Sequence, residues 1–538
     1  MSTKDRDRAF FGHPIGLSTL FFTEMWERLS YYGMRAFLIF YITGKVEDGC
    51  LGMSLAGAGI VMALYQSSVY MLSLPGGWIA DRFVGQRRAV TMGGIGIMLG
   101  NILLAMPTPS LFYPALVCIA LGTGLLKPNV STLVGQLYKA DDIRRDAGYT
   151  VYYMGINIGA LFGPIACGFF AQSETFRSFL LDHNIDPRMC WHYAFGLVAV
   201  GMALGVVQYV VGWRRLGDSG LRPTIPEDAS KASRDRMVLA GILVVFAALA
   251  ALIVLAEPSK DVIGNLFGVG LLIGAVALFV GMMRNARDAD EKRRITAMIP
   301  LFIGGVAFFA TFEQASTTLN IFAEQAVQRV VPVSMFQSIN SLFIIAIAPI
   351  FAALWLALAR RGKEPSSVNK FAWGMIMTAI AFVVVLPALH AVTSIAHIND
   401  TVGAMPYAGG PVDNAIEPLR VSPMFLAALY FFQTTSELCI SPVGLSSMSK
   451  LAPTRMAGMV MGTWFLATAI GNYLAGRAAG LTADKGFGFL FWMLIIASLI
   501  VAAALFLIAP VIKKMMAGGE PQIPTARVVA EGEATPAA

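Results

Sequence analysis

Apolar stretches close to the ~20 residues that an α-helix needs to cross a bilayer recur along the whole of this 538-residue chain. They lie near 16–42, 54–80, 88–107, 110–134, 147–171, 191–213, 236–256, 262–283, 296–324, 333–359, 370–392, 422–447, 456–480 and 487–511. With 56% of residues hydrophobic, 14% charged and a mean hydropathy of +0.66, the chain is too apolar for a soluble protein of this size. The expected fold class is therefore an all-α polytopic membrane protein with 14 transmembrane helices.

The net charge of +7 does not point to nucleic acid, because the basic residues gather in the loops on one side of this topology. Lys4, Arg6 and Arg8 precede the first span, Arg82, Arg87 and Arg88 follow the second, Arg144 and Arg145 the fourth, and Arg214 and Arg215 the sixth. Arg284 to Arg294, Arg360 to Lys370, Lys450, Arg455, Lys513 and Lys514 continue the series, whereas the other side carries only scattered basic residues such as Lys45, Arg177, Lys260 and Arg420. A positive-inside bias then places both termini of this multi-pass protein in the cytoplasm. Residues 1–8 lack the apolar core of a signal peptide, so the first span is expected to stay as an uncleaved anchor. The Gly-, Pro-, Ala- and Glu-rich tail at 512–538 reads as disordered. Cys50 and Cys190 fall near loops of the side opposite the basic one, where a pairing is open, while Cys118, Cys167 and Cys439 read as apolar fillers.

Behind a short N-terminus at 1–15, six spans form a half over 16–215 and six more form a second over 296–511. Between them, residues 216–295 carry a further pair of spans with few ionisable residues, read as a lateral structural hairpin and not as part of a site. Two six-helix halves around a central path match the plan of major facilitator transporters, whose sites lie near the midplane. Gly77, Asp81, Arg82, Gly85, Arg87 and Arg88 at the end of span two resemble the loop signature of that superfamily and suggest a gating loop, against the plainer reading of an ordinary basic loop. Asp81 at a helix C-terminus opposes the macrodipole, so a cationic partner is expected for it.

The first span is unusual in carrying Glu24, Glu27, Arg28 and Arg35 within apolar sequence. A charge at the centre of a membrane helix costs roughly 2.5–3.5 kcal/mol on insertion scales, so this group needs a reason. Helical spacing puts Glu24, Arg28, Tyr31 and Arg35 on one stripe, with Glu27 and Tyr32 beside it. Lys127, next to the helix-disrupting Pro128, and Glu313, Asn340 and Glu437 also lie within apolar spans and are expected to face the interior. A structural ion-pair cluster is the rival reading for the charges, core packing for Tyr70 and Trp464, and helix bridging for Asn157 and Asn340.

The run from Glu24 to Gly33 matches the Glu-x-x-Glu-Arg-Phe-x-Tyr-Tyr-Gly signature of the proton-dependent oligopeptide transporters. Tyr152-Tyr153-Met154-Gly155-Ile156-Asn157-Ile158-Gly159 is similar to that family's fifth-span signature, and the segments around Lys127, Glu313, Asn340 and Glu437 look like theirs. The resemblance covers about residues 12–511, including the two-helix insert that bacterial members carry. It implies proton-driven uptake of di- and tripeptides by a monomer in the lipid bilayer of a bacterial inner membrane, with protons as coupling ion and no cofactor. The peptide carboxylate would meet Arg35 and Lys127. Its amine would meet Glu437, with Asn157 and Asn340 assisting, and Tyr31, Tyr32, Tyr70 and Trp464 would line side-chain pockets. Glu24, Glu27, Arg28 and Glu313 would carry proton coupling. By the same analogy Arg35 pairs with Glu313 and Lys127 with Glu437 across the two halves.

Leu29 stands where the family usually has Phe, and Ser436 where it has Gly; neither changes a charge. Span two holds no histidine, so coupling would rest on carboxylates, and His13, His183, His192, His390 and His397 lie at span ends or in loops. A proton-coupled exporter, a nitrate or other anion carrier and a non-transporting peptide sensor are the alternatives. No metal-ligand spacing, nucleophile elbow or phosphate loop suggests an enzyme.

Overall fold

The computed structural model describes residues 7–139, 142, 144–221, 223, 229–255, 261–392, 417–451 and 456–516. Lys4, Arg6, Lys260, His397, Arg455, the side chain of Lys450 and the tail expected to be disordered beyond Met516 lie outside them. The described chain is 87% helical and holds no sheet. Each expected span is occupied by helix. In order they are α1 (Gly16–Thr43), α2 (Leu55–Val84), α3 (Gln86–Ala105), α4 (Phe112–Gln136), α5 (Arg145–Gln172), α6 (Cys190–Gly212), α7 (Ala229–Leu255), α8 (Asp261–Asn285), α9 (Ala289–Phe312), α10 (Ser338–Arg360), α11 (Ser367–Val385), α12 (Met424–Leu451) and α13 (Ala457–Met516).

Two departures from straight spans matter. The ninth span is not one helix: α9 ends at Phe312, Glu313–Ser316 form a tighter turn, and a short helix resumes at Thr318–Ala326. Irregular backbone at membrane depth is tolerated where protein covers it, and Glu313, Gln314, Ala315 and Ser316 are all buried. The last two spans run together as α13, broken at Gly486, whose φ of +78° an L side chain rarely adopts.

α1 owes its place to its charges. Too polar to face lipid, it packs against α5 and α6 and is buried over most of its length. Within the first bundle α3 also packs on α4 and α6; in the second, α9, α11 and α12 pack on α13 and on one another. The two bundles meet where α2 crosses α13 and α5 crosses α10. One apolar core joins the first bundle to the end of the second farther from the basic loops, around Phe322, Phe382 and Phe491. A separate core, around Met298, Phe371 and Val460, fills the end nearer those loops. The bundles are thus joined at one face and apart at the other. Bonds across the joined face agree: Asn320 donates to the Ala36 carbonyl at 2.9 Å, Ser67 to that of Ala469 at 2.8 Å and Ser338 to that of Leu161 at 2.7 Å.

Some crossings admit only glycine. A Cβ at Gly76 would overlap the backbone carbonyl of Gly124, whereas one at the neighbouring Gly77 would touch Pro128 at an ordinary 3.5 Å. Gly76→Val is expected to lower stability by about 1–3 kcal/mol, while Gly77→Ala stays close to the parent. Thermal midpoints of the two purified variants check this; equal midpoints would show that the α2–α4 crossing adapts freely.

On the basic face, Arg144 reaches Asp142 at 2.8 Å and Asp7 at 3.0 Å, and its hydrogen bonds hold the Asp142 carboxyl down to about 2. His13 hydrogen-bonds Tyr138 at 3.0 Å, and burial together with Arg144 pushes its pKa below the usual histidine value. This latch disfavours the protonated form of His13. Cys50 and Cys190 are buried free thiols.

Candidate functional site

Between the bundles lies a cavity of about 1210 Å³ that extends toward the basic face. Its inner end is made by α1. There Arg28 Nε sits 2.8 Å from Glu24 Oε1 and 2.7 Å from Glu27 Oε2, and Tyr152 donates to Glu24 Oε2 at 2.6 Å. One guanidinium thus answers two carboxylates, all three at most 4% exposed. A buried charge without such partners would cost several kcal/mol, on the order of the 3–5 found when buried pairs are broken.

Two turns along α1, Arg35 Nη2 lies 2.6 Å from Glu313 Oε2. Glu313 is the first residue after the break in the ninth span, so the break places its carboxyl against the first bundle. The expected pairing of Arg35 with Glu313 across the halves is therefore present. Tyr31 and Tyr32 stand between the two arginines with ring centres 5.6–6.0 Å from the guanidinium carbons, adding cation–π attraction to both.

Lys127 on α4 faces the cavity with its Nζ 3.8 Å from the Tyr70 ring centre. Glu437 on α12 faces it from the other bundle, accepting from Asn340 Nδ2 at 3.3 Å. The expected Lys127–Glu437 ion pair is not formed: among the described residues neither has an oppositely charged partner within 4 Å. The two side chains stand on different bundles, and the cavity lies between them. A lysine and a glutamate, neither in an ion pair, therefore face one cavity from different bundles.

Asn340 also donates to Thr434 at 2.9 Å, so it both bridges α10 to α12 and orients the Glu437 carboxylate. Asn157 lines the cavity, though its amide donates back to the Tyr153 carbonyl at 3.0 Å. Trp464 borders the cavity while packing edge-on against Phe309 and Phe371, so the core reading holds for it as well. Ser436, the departure beside Glu437, is buried and satisfied by Thr378 at 2.7 Å. Tyr31, Glu27 and Glu313 lie just behind the cavity wall; Glu24, Arg28, Tyr32 and Arg35 form it.

The suspected gating loop divides. Gly77 and Asp81 border the cavity mouth, whereas Arg82, Gly85, Arg87 and Arg88 do not. Asp81 has no cationic partner among the described residues and instead accepts from the Gln86 amide at 2.8 Å, since Arg82 turns away to Asp235 of α7 at 3.8 Å. Arg87 holds the segment after α6, donating to the carbonyls of Ser219 and Gly217. Two lining residues missed in the sequence, Tyr430 and Gln433, lie seven and four positions before Glu437. Their helical register with Glu437 was the signal that would have found them.

Residues 87–493 match the sequence profile of the POT family. The chain is 36% identical over 479 residues to the di-/tripeptide transporter of Lactococcus lactis, covering 86% of this chain and 88% of that protein. It is 35% identical to the peptide transporter YePEPT of Yersinia enterocolitica, over 95% of this chain and 96% of that one. A crystal structure of the peptide transporter POT in complex with sulfate superposes with a TM-score of 0.80 at 36% identity, covering 96% of this chain and 99% of that one. The all-α major facilitator fold expected from the sequence is the fold of these transporters.

Proposed function

The chain belongs to the POT family, and on that footing we propose that it is a proton-coupled symporter that imports di- and tripeptides by alternating access. The observation that carries this reading is the unpaired Lys127 facing the unpaired Glu437 across one cavity. A peptide is a zwitterion, and its carboxylate and ammonium fit these two charges. A simple anion would leave Glu437 opposed, and an exported cation would leave Lys127 opposed. Retention of both charges therefore favours peptides over either alternative.

In this mechanism the basic face is cytoplasmic, with both termini inside, and the cavity is the inward-open form of the site. Lys127 attracts the carboxylate as a point charge, and Arg35 offers a planar fork for it. Arg35 is held by Glu313 in this conformation, so the peptide carboxylate and Glu313 compete for one guanidinium. A proton on Glu313 removes that competition and releases the link between bundles. Coupling follows, because the peptide binds best where protons are abundant. Glu24, Glu27 and Arg28 form the buried network through which the proton is passed or sensed. Asn340 orients Glu437 toward the peptide ammonium, and Tyr32, Tyr70 and Trp464 offer apolar walls that accept varied side chains. The protein acts as a monomer and uses no cofactor.

One proton entering gains about 2.3 kcal/mol per 100 mV and about 1.4 kcal/mol per pH unit. At 100 mV and one pH unit, 1:1 coupling would allow accumulation of up to about 500-fold. The test is uptake of radiolabelled dialanine into proteoliposomes under an inward proton gradient with the interior negative. Accumulation above the outside concentration, collapsed by a protonophore, is the expected result. No uptake above empty liposomes by folded protein would overturn the reading and direct attention to anions and exported drugs.

A further inference from the structure

We propose that α8, the second helix of the insert, is a wall of the substrate cavity, and that Leu278 on it contacts substrate side chains and limits their size. The proposal rests on the cavity being the substrate path. It replaces the sequence reading of the insert as a lateral hairpin apart from the site.

The register of α8 carries the argument. Leu271, Ala275, Leu278 and Met282 recur at helical spacing and share one face. Three of them are 3%, 5% and 0% exposed, sealed into the core of the second bundle. Leu278 alone in this stripe is only partly buried, and it lines the cavity. The opposite face, with Leu272, Ile273 and Val276 more than half exposed, is the one left for lipid. Leu278 is therefore open because it meets the cavity, not because it meets the bilayer.

α8 is also fixed too firmly for this to be incidental. At its start Arg477 bonds Asp261 at 2.7 Å and Asn265 at 3.3 Å. Gly268 gives way to the Tyr473 ring, and Gly264 sits against Ile60 of α2. At its far end Gly281 lies beside Met459. α8 thus packs on α13 of the second bundle and on α2 of the first. Leu74 of α2 and Met459 of α13 line the same cavity, so α8 covers the seam between these two helices, and Leu278 is the side chain it presents there. A branched apolar group at that point offers low-specificity contact to an apolar substrate side chain and no charge to attract anything else.

Two measurements test this. Leu278→Cys, in inside-out vesicles, is expected to react with a charged methanethiosulfonate and to be protected at least threefold by saturating dialanine; the parent, with its five cysteines, gives the background. Reaction with lipid-soluble maleimide only would overturn the proposal. Leu278→Trp is expected to raise KM for Phe-Ala about tenfold more than KM for Ala-Ala, and Leu278→Ala to do the reverse. Equal changes for both peptides would reduce α8 to a scaffold. If the parent carries no peptide, the proposed function fails on its own; the labelling by charged reagent still reports whether Leu278 meets an aqueous cavity.

Discussion

Glu313→Gln is expected to lower proton-driven accumulation of dialanine by about 100-fold or more while leaving exchange of peptide across the membrane largely intact. Glutamine keeps the size of the side chain but carries no titratable proton, so the proposed step in which a proton frees Arg35 from Glu313 would disappear. Breaking a buried ion pair typically costs about 3–5 kcal/mol, the equivalent of roughly two to nearly four orders of magnitude. In the proposed mechanism that difference is what the proton gradient acts upon. Substrate binding itself is spared, because Arg35 stays charged and is permanently available to a carboxylate. Counterflow of labelled against unlabelled peptide, which requires a folded protein and alternating access but no gradient, separates the two effects. A variant that still concentrates dialanine above equilibrium, with collapse by a protonophore, would remove Glu313 from the coupling route.

Glu437→Gln is expected to raise KM for dialanine about 10- to 100-fold, the loss of a hydrogen bond to a charged group worth about 1.5–3 kcal/mol. The diagnostic substrate is N-acetyl-dialanine, which lacks the ammonium. Its weak uptake by the parent should change little in the variant, so discrimination between free and blocked peptide should nearly vanish. A merely structural Glu437, joined to Asn340 and nothing else, would slow both substrates alike. A rise in KM confined to the free peptide supports the amine-binding role; equal losses would overturn it.

Much of this was legible along the chain because it depends on local periodicity. Apolar runs of bilayer length determined the number of helices, and the one-sided arginines determined which loops share a face. The stripe of Glu24, Arg28, Tyr31 and Arg35 is a property of a single helix, so spacing alone placed these residues together, and the structure has Arg28 between Glu24 and Glu27. Lys127, Asn340 and Glu437 stood out for a related reason: each is too polar to leave in hydrocarbon.

What periodicity does not contain is the relation of one helix to another. A span of 296–324 reads as uniform, yet it breaks at Glu313, because only packing against the first bundle makes a broken helix tolerable there. Asp81 was assigned a cation on the strength of its helix end, while tertiary contacts sent Arg82 to Asp235 and Arg87 to the carbonyls of Gly217 and Ser219. Leu278 is an ordinary leucine among apolar neighbours, and nothing in its sequence separates it from Leu271 or Met282. The same limit governs Lys127 and Glu437. The sequence by itself determined that both charges must be sheltered from lipid, since the cost of a bare charge in hydrocarbon depends only on the residue and its depth. Whether they pair with each other or face an open cavity was decided by the tertiary structure, because Coulomb attraction depends on the distance between two bundles that are joined at one face and apart at the other.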